Sequence, residues 1–411
     1  MSMESTYTHV EGTSGITEVP GFKAAATSCD IRGKGNDRLD TAIIYSELPC
    51  AAAATFTTND VKAAPVRLDM ARIAAGGPFH GVVANSGNAN AYTGAQGMKD
   101  AEEMASILAD ALGVPAQSVF VGSTGRIGKG MPMNALRKGI PEAVKTLSSD
   151  PKNGSAAAWA ILTSDTRPKT ATASFQCAGT RIVVSGMAKG AGMIQPNMAT
   201  MLAYIATNAK LPADALTGVL RKSVFASFNR ITVDGDMSTN DTVILLANGE
   251  SGLGEAELGA EGMALFAKAV ADVCKSLAQM MVADGECISK VVTVNVTGAK
   301  TEADAEKVAR AIGNSLLVKS SWFGNDPNWG RIMDAAGYAR VGLDETTLDL
   351  SYGDIPVVAG GAPIYDNKPL WKERVSRKSF SVDLNLHMGA ETFSLLASDL
   401  TEGYVNYNKS E

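Results

Sequence analysis

Histidine is scarce in this 411-residue chain: His9, His80 and His387 are the only three. One lies in a polar stretch near the start, and none stands in a carboxylate-rich setting in the sequence. A Ser–His–Asp hydrolase or a histidine-rich metal site therefore has little to be built from. Cysteine is nearly as sparse. Cys29, Cys50, Cys177, Cys274 and Cys287 form no CxxC pair and are odd in number, which argues against a disulfide framework or zinc site and for a reducing compartment. Long basic runs are missing too, at a net charge of −6, so nucleic acid and acidic membrane surfaces are poor partners. No apolar run approaches the roughly 20 residues that span a bilayer. The opening MSMESTYTHVEGTSG is polar and lacks the apolar core of a leader. These absences lead us to expect a soluble cytoplasmic protein with no metal whose base, if it is an enzyme, is not histidine.

What is present is an ordinary globular balance, 45% apolar and 19% charged, in a length that suits two domains or one two-lobed body. Residues 98–112, MKDAEEMASILADAL, put Ala101, Met104, Ala105, Leu108 and Leu112 on one helical face. Residues 302–312 do the same with Ala305, Val308, Ala309 and Ile312. Strand-like runs fall at 41–48, 81–85, 118–122, 181–186, 242–247 and 290–298. Several alternate apolar with polar residues, which predicts sheets with one wet face. The fold class is α/β, in layers.

Six segments between these runs are dense in Gly, Asn, Asp, Ser and Thr: 84–97, 122–130, 161–169, 227–242, 282–290 and 323–331. Any one is explained by turn chemistry. Six together read as loops that wall a shared site on a rigid scaffold. A seventh stretch, KGAGMIQPNMATMLAYIATNA (189–209), runs from a glycine-rich turn into an apolar strand, with Thr200 at the junction. A threonine hydroxyl needs a base, and its own α-amine can serve if the chain is cut before it. Small Ala199, flexible Gly190 and Gly192, and stiff Pro196 suit an N-to-O acyl shift that splits the chain between Ala199 and Thr200. Thr200 as a plain β-former at a strand start is the alternative that spacing alone leaves open.

KGAGMIQPNMATML resembles the self-cleavage motif of the ornithine acetyltransferases, the bifunctional glutamate/ornithine N-acetyltransferases of arginine biosynthesis. VVANSGNANAYTGAQG, STGRIG, TSDTRPK, SFNRITVDGDMSTNDT, ADGE and FGNDPNWGRI follow the same family's order over roughly residues 80–340. The resemblance implies a layered α/β sandwich of the self-processing N-terminal-nucleophile type, shared with certain aminopeptidases. It implies an alpha chain, 1–199, and a beta chain, 200–411, that begins with the nucleophile Thr200. Thr124 and Gly125 match its oxyanion pair. Thr163, Lys189, Thr200 and Glu286 match its substrate-binding positions, and in GYVNYNKSE Asn408 is the counterpart of its C-terminal asparagine, with Asn406 as the alternative. The substrates implied are N-acetylornithine and glutamate in a ping-pong exchange through acetyl-Thr200, with acetyl-CoA left open as a second donor. Lys189 suits the substrate carboxylate and Glu286 its ammonium. No cofactor is implied, and the assembly implied is a heterotetramer of two alpha and two beta chains.

The sequence departs from the family at three points. Cys287 stands where glycine commonly follows DGE, Arg126 follows the oxyanion pair in place of an apolar residue, and the chain ends three residues after Asn408. Arg126 is expected to face solvent. Trp329 and Arg331 are expected to build a turn and a helix start rather than to touch ligand. Asp234, Asp236 and Asp241 lack the register of a calcium loop, so no metal is assigned. Two competing functions stay open: an N-terminal-threonine amidohydrolase or aminopeptidase of the same fold, and an uncleaved binding protein.

Overall fold

A computed structural model describes residues 3–195 and 201–409. Ala199 and Thr200, with the expected cut between them, lie outside the described residues. The chain forms two compact units. One comprises Met1–Gly190, Asn197–Asn229 and Met237–Met280, and the other Ala191–Pro196, Arg230–Asp236 and Met281–Glu411.

The first unit carries a nine-stranded sheet. Its strands are β1 (Thr8–Glu11), β2 (Phe22–Thr27), β3 (Thr41–Phe56), β4 (Phe79–Asn88), β5 (Val119–Arg126), β6 (Lys169–Cys177), β7 (Thr180–Lys189), β8 (Leu202–Thr207) and β9 (Thr242–Ala247). Strand β3 is long enough to serve two layers: its first half pairs with β2 and β4, its second half with β9. Successive residues on these strands enter different cores. Ala42 and Ile44 of β3, Val82 of β4 and Phe120 of β5 join an inner cluster with Leu202, Tyr204, Ile244 and Leu246. Ile43, Val83, Val119 and Val121 pack the other way, against partly buried Leu68 of α1 (Ala64–Ala75), Met104 and Leu108 of α2 (Gly94–Leu112) and Leu136 and Ile140 of α3 (Met133–Val144). The expected wet face is therefore absent here. Strands β4, β8 and β9 are almost wholly buried along their length, as continuous apolar runs covered on both sides must be. The helical face over 98–112 is as the spacing predicts, apart from Leu112, which is only partly buried.

These units are groupings by packing and differ in kind from the expected alpha and beta chains. Strand β8, which follows the expected cut, pairs antiparallel with β7, which precedes it, and parallel with β9.

The second unit holds a six-stranded sheet of β10 (Val291–Ala299), β11 (Asp349–Tyr352), β12 (Ile355–Ala359), β13 (Ala362–Pro363), β14 (Ser379–Asn385) and β15 (Glu391–Ser398). Here alternation holds. Val292, Val294 and Val296 are buried with Val382, Leu384, Phe393 and Leu395, while Asn295 on the other face donates to Asp383 and accepts from Ser394. Helix α4 (Glu302–Asn314) covers the apolar face with Ala305, Val308, Ala309 and Ile312. Its Thr301 cap accepts the N–H of Asp304. Trp329 does begin a helix, α5 (Trp329–Gly337), capped by Asn328, whose side chain accepts the Arg331 N–H. Among the described residues no helix is long and apolar enough to cross a membrane.

Candidate active site

In the first unit two of the polar segments prove to be strand ends rather than loops. ANSGN ends β4 and STGR ends β5, paired in parallel with Ser86 opposite Thr124 and Gly87 opposite Gly125. Their polar residues are tolerated inside because they hydrogen-bond one another. Asn85 takes the Ser123 hydroxyl and donates to the Asn88 carbonyl, and Asn240 donates to the carbonyls of Ala89 and Ser123 at 2.6 and 2.8 Å. Gly125 has φ 131°. A Cβ there would meet Gly87 C at 2.4 Å and Asn88 N at 2.6 Å, so only glycine fits this approach. Arg126 is exposed, as expected.

Thr124 is buried, and its Oγ1 accepts from Lys189 Nζ at 3.3 Å. Because the lysine is the donor, the Thr124 hydroxyl proton remains available to a ligand oxygen. Lys189 is no solvated loop lysine: it ends β7 at 2% exposure. A buried ammonium requires a counter-charge, and Asp165 provides one at 4.0 Å. Asp165 also accepts from Lys169 Nζ at 2.6 Å, from the Gly190 N–H at 2.6 Å and from the Thr163 N–H at 3.2 Å. Burial alone would raise its carboxyl, but Lys189, Lys169 and these bonds hold it down at about 2. Thr163 is half-buried on the same carboxylate, with its carbonyl held by Arg38. Asp165 was missed in the sequence, although it sits inside TSDTRPK four residues before Lys169.

Asp241 is fully buried. Its Oδ1 accepts the Met201 N–H at 2.9 Å. Burial pushes its carboxyl well above the usual range, against that bond and the nearby Lys189 charge. Met201 and Asp241 each immediately precede a strand, and β8 and β9 open in register with Leu202 opposite Thr242.

In the second unit Glu286 and Asn408 come together: Asn408 Nδ2 donates to Glu286 Oε2 at 3.1 Å. Asn406 instead accepts from Lys409, which favours Asn408 of the two candidates. Asn408 closes the short helix α6 (Glu402–Tyr407), and that helix is tied down at its start, where Thr401 Oγ1 caps Tyr404 N and donates to the Cys287 carbonyl at 2.7 Å. The Glu286 N–H bonds the Ala191 carbonyl at 2.9 Å. A Cβ on Gly192 would lie 2.3–2.5 Å from the Glu286 carboxylate, so this glycine is required for the approach. Cys287 keeps φ 52°, the left-handed conformation that favours glycine. The thiol is exposed and the backbone path is retained. Asp234 accepts the N–H groups of Met193 and Ile194 and the Tyr404 hydroxyl. It and Asp241 thus anchor separate backbone segments. Among the described residues no group of three His, Cys, Asp or Glu side chains is placed to hold a metal ion.

The model of the ArgJ family matches residues 23–410. The arginine biosynthesis bifunctional protein ArgJ of Symbiobacterium thermophilum is 44% identical over 396 residues, 96% of this chain and 98% of that protein. The glutamate N-acetyltransferase of Methanocaldococcus jannaschii is 42% identical over 404 residues, 96% and 97% of the two chains. Among solved structures, the ornithine acetyltransferase of Mycobacterium tuberculosis complexed with ornithine is 35% identical at a TM-score of 0.42, covering 46% of this chain and 98% of that one.

Proposed function

This chain belongs to the ArgJ family, and on that premise we propose that it transfers acetyl from N-acetylornithine to glutamate through an ester on Thr200. It is an N-acetyltransferase of arginine biosynthesis. The observation that carries the reading is the Lys189–Thr124 contact at the β5 end, beside Gly125 in its glycine-only conformation. A hydroxyl kept free to donate, with an ammonium behind it, suits the oxygen of a tetrahedral intermediate. Cleavage between Ala199 and Thr200 yields the alpha chain, 1–199, and the beta chain, 200–411, which stay joined in a fold of the N-terminal-nucleophile type. Pairing of β7 with β8 supports a product that holds together after the cut.

The Thr200 hydroxyl attacks the acetyl carbonyl, its proton passes to the α-amine, and ornithine leaves with that proton. The glutamate amine then attacks the ester and releases N-acetylglutamate. Thr163, Lys189, Glu286 and Asn408 are the substrate-binding groups, the two chains assemble as a heterotetramer in the cytoplasm, and acetyl-CoA stays open as a second donor.

Denaturing intact mass before and after mixing with N-acetylornithine tests this. Two fragments meeting at Ala199/Thr200, with one acetyl added to the 200–411 piece, are expected, and addition of glutamate discharges it as N-acetylglutamate. Free acetate in place of N-acetylglutamate makes the protein a hydrolase. A single unsplit chain overturns the assignment of Thr200.

A further inference from the structure

We propose that Lys169 is a positioning residue for Lys189: by occupying Asp165 it keeps that carboxylate from closing on the Lys189 ammonium, which therefore stays on the Thr124 hydroxyl with its charge available to a ligand oxygen. This rests on the reading of Thr124 and Lys189 given above. All four residues belong to the first unit. Lys169 opens β6 opposite Ala188, and Lys189 follows Ala188 at the end of β7. The antiparallel register thus brings two ammonium groups to one carboxylate. Asp165 Oδ1 accepts from Lys169 Nζ and from the Gly190 N–H, both at 2.6 Å. Oδ2 accepts the Thr163 N–H at 3.2 Å and faces Lys189 Nζ at 4.0 Å. The side chains of Lys169 and Asp165 are 0% exposed and that of Lys189 is 2% exposed.

The 4.0 Å separation is the informative distance. An ammonium and a carboxylate buried side by side attract strongly, because little water screens them. The charge-assisted hydrogen bond between such groups closes to about 2.7–2.9 Å. Lys169 comes as near as that and Lys189 does not. The difference follows from what Asp165 already holds, an ammonium and two amide protons. Lys189 donates instead to Thr124 Oγ1 at 3.3 Å. Lys169 also donates to the Arg167 carbonyl at 3.2 Å, which ties its head to the turn that carries Asp165. Lys169 acts on the site through Asp165, and this separates it from Lys189 and Thr124, which the proposed reaction uses directly.

The test is Lys169→Met in the full chain, read by a crystal structure, thermal melting, and kcat and KM with N-acetylornithine and glutamate. Lys189 Nζ is expected to close on Asp165 to about 2.8 Å and to leave Thr124. With it, kcat/KM is expected to fall about 100-fold, as when a donor to an oxyanion is lost. Adding Asp165→Asn removes the buried pair as a unit and leaves no carboxylate at position 165 to close on Lys189. The double variant is expected to regain at least about tenfold in kcat/KM over Lys169→Met, since the two sites are coupled. A lysine that only props the fold gives a double variant as slow as the single one or slower.

Lys189 still 4.0 Å from Asp165 in the folded Lys169→Met protein overturns the proposal. So does a double variant that regains nothing. If Lys169→Met does not fold, the double variant decides: folded and within about tenfold of the unaltered chain in kcat/KM it upholds the role, and folded but slower than that it rejects it. If neither folds, Lys169 is a scaffold residue and the role is rejected. Lys189 closed on Asp165 with kcat/KM unchanged upholds the positioning and sinks the reading of Lys189 as a ligand group.

Discussion

The two units treat polar residues in opposite ways. In the first, sheets are covered on both faces and ionisable groups lie inside: Asp69, Asp165, Lys169, Lys189 and Asp241 are all buried. In the second, the sheet has one apolar face, and its polar residues alternate outward as Asn295 and Asp383 do. The difference teaches where chemistry can be concentrated. A charge inside a two-sided core is strong because water does not screen it, and it is stable only if every partner is in place. Lys189 behind the Thr124 hydroxyl has that character. The groups of the second unit, half-buried Glu286 and exposed Asn408, meet water, and in the proposed function they would recognise a substrate by geometry more than by field.

The sharpest way to break this contrast is Asp165→Asn. It leaves Lys169 and Lys189 buried without their carboxylate, and removing one partner of a buried ion pair costs about 3–5 kcal/mol. Urea unfolding should show a loss of that size; a loss no greater than for a surface substitution would mean that the interior charges are not the support described here. Acid probes the same carboxylate more gently. Its folded pKa is held down at about 2, below its ordinary value, so the stability it contributes is complete above pH ~4. That stability drains away as pH falls through the folded value, by about 2 kcal/mol. Asp165→Asn should abolish that part of the acid dependence, and an unchanged dependence would place it on other carboxylates.

Much of the fold was legible because apolar runs are local signals. The helix faces around 98–112 and 302–312 and the strand at MLAYIA needed only periodicity. The burial of both faces in the first unit was not legible, since a continuous run such as GVVAN looks the same on an edge or in a centre until its neighbours are known. The polar words were misread as loops for a related reason. Gly, Asn and Ser signal turns unless partners from distant strands satisfy them, as Asn240 satisfies Ser123 across 117 positions. Family words identified Thr124, Lys189 and Glu286. They gave no hint of Asp165 and Asp241, whose importance comes from what they touch. Asn408 could be separated from Asn406 only by the hydrogen bond it makes.

The smallest effect concerns the second unit. Thr401 caps α6 and ties it to the Cys287 carbonyl, and Asn408 at the far end of that helix reaches Glu286. Thr401→Ala removes both bonds and should cost about 1 kcal/mol of stability, as lost caps do. Because the helix is short and carries no buried residue, its end depends on such bonds, the Tyr404 hydroxyl to Asp234 among them. The loss should therefore appear mainly as a raised KM for N-acetylornithine, with kcat nearly kept, since the proposed acyl-transfer groups belong to the first unit. Thr401→Ser should restore KM by restoring the cap. A fall in kcat at constant KM would contradict the division of labour between an interior that does the chemistry and a surface that does the recognition.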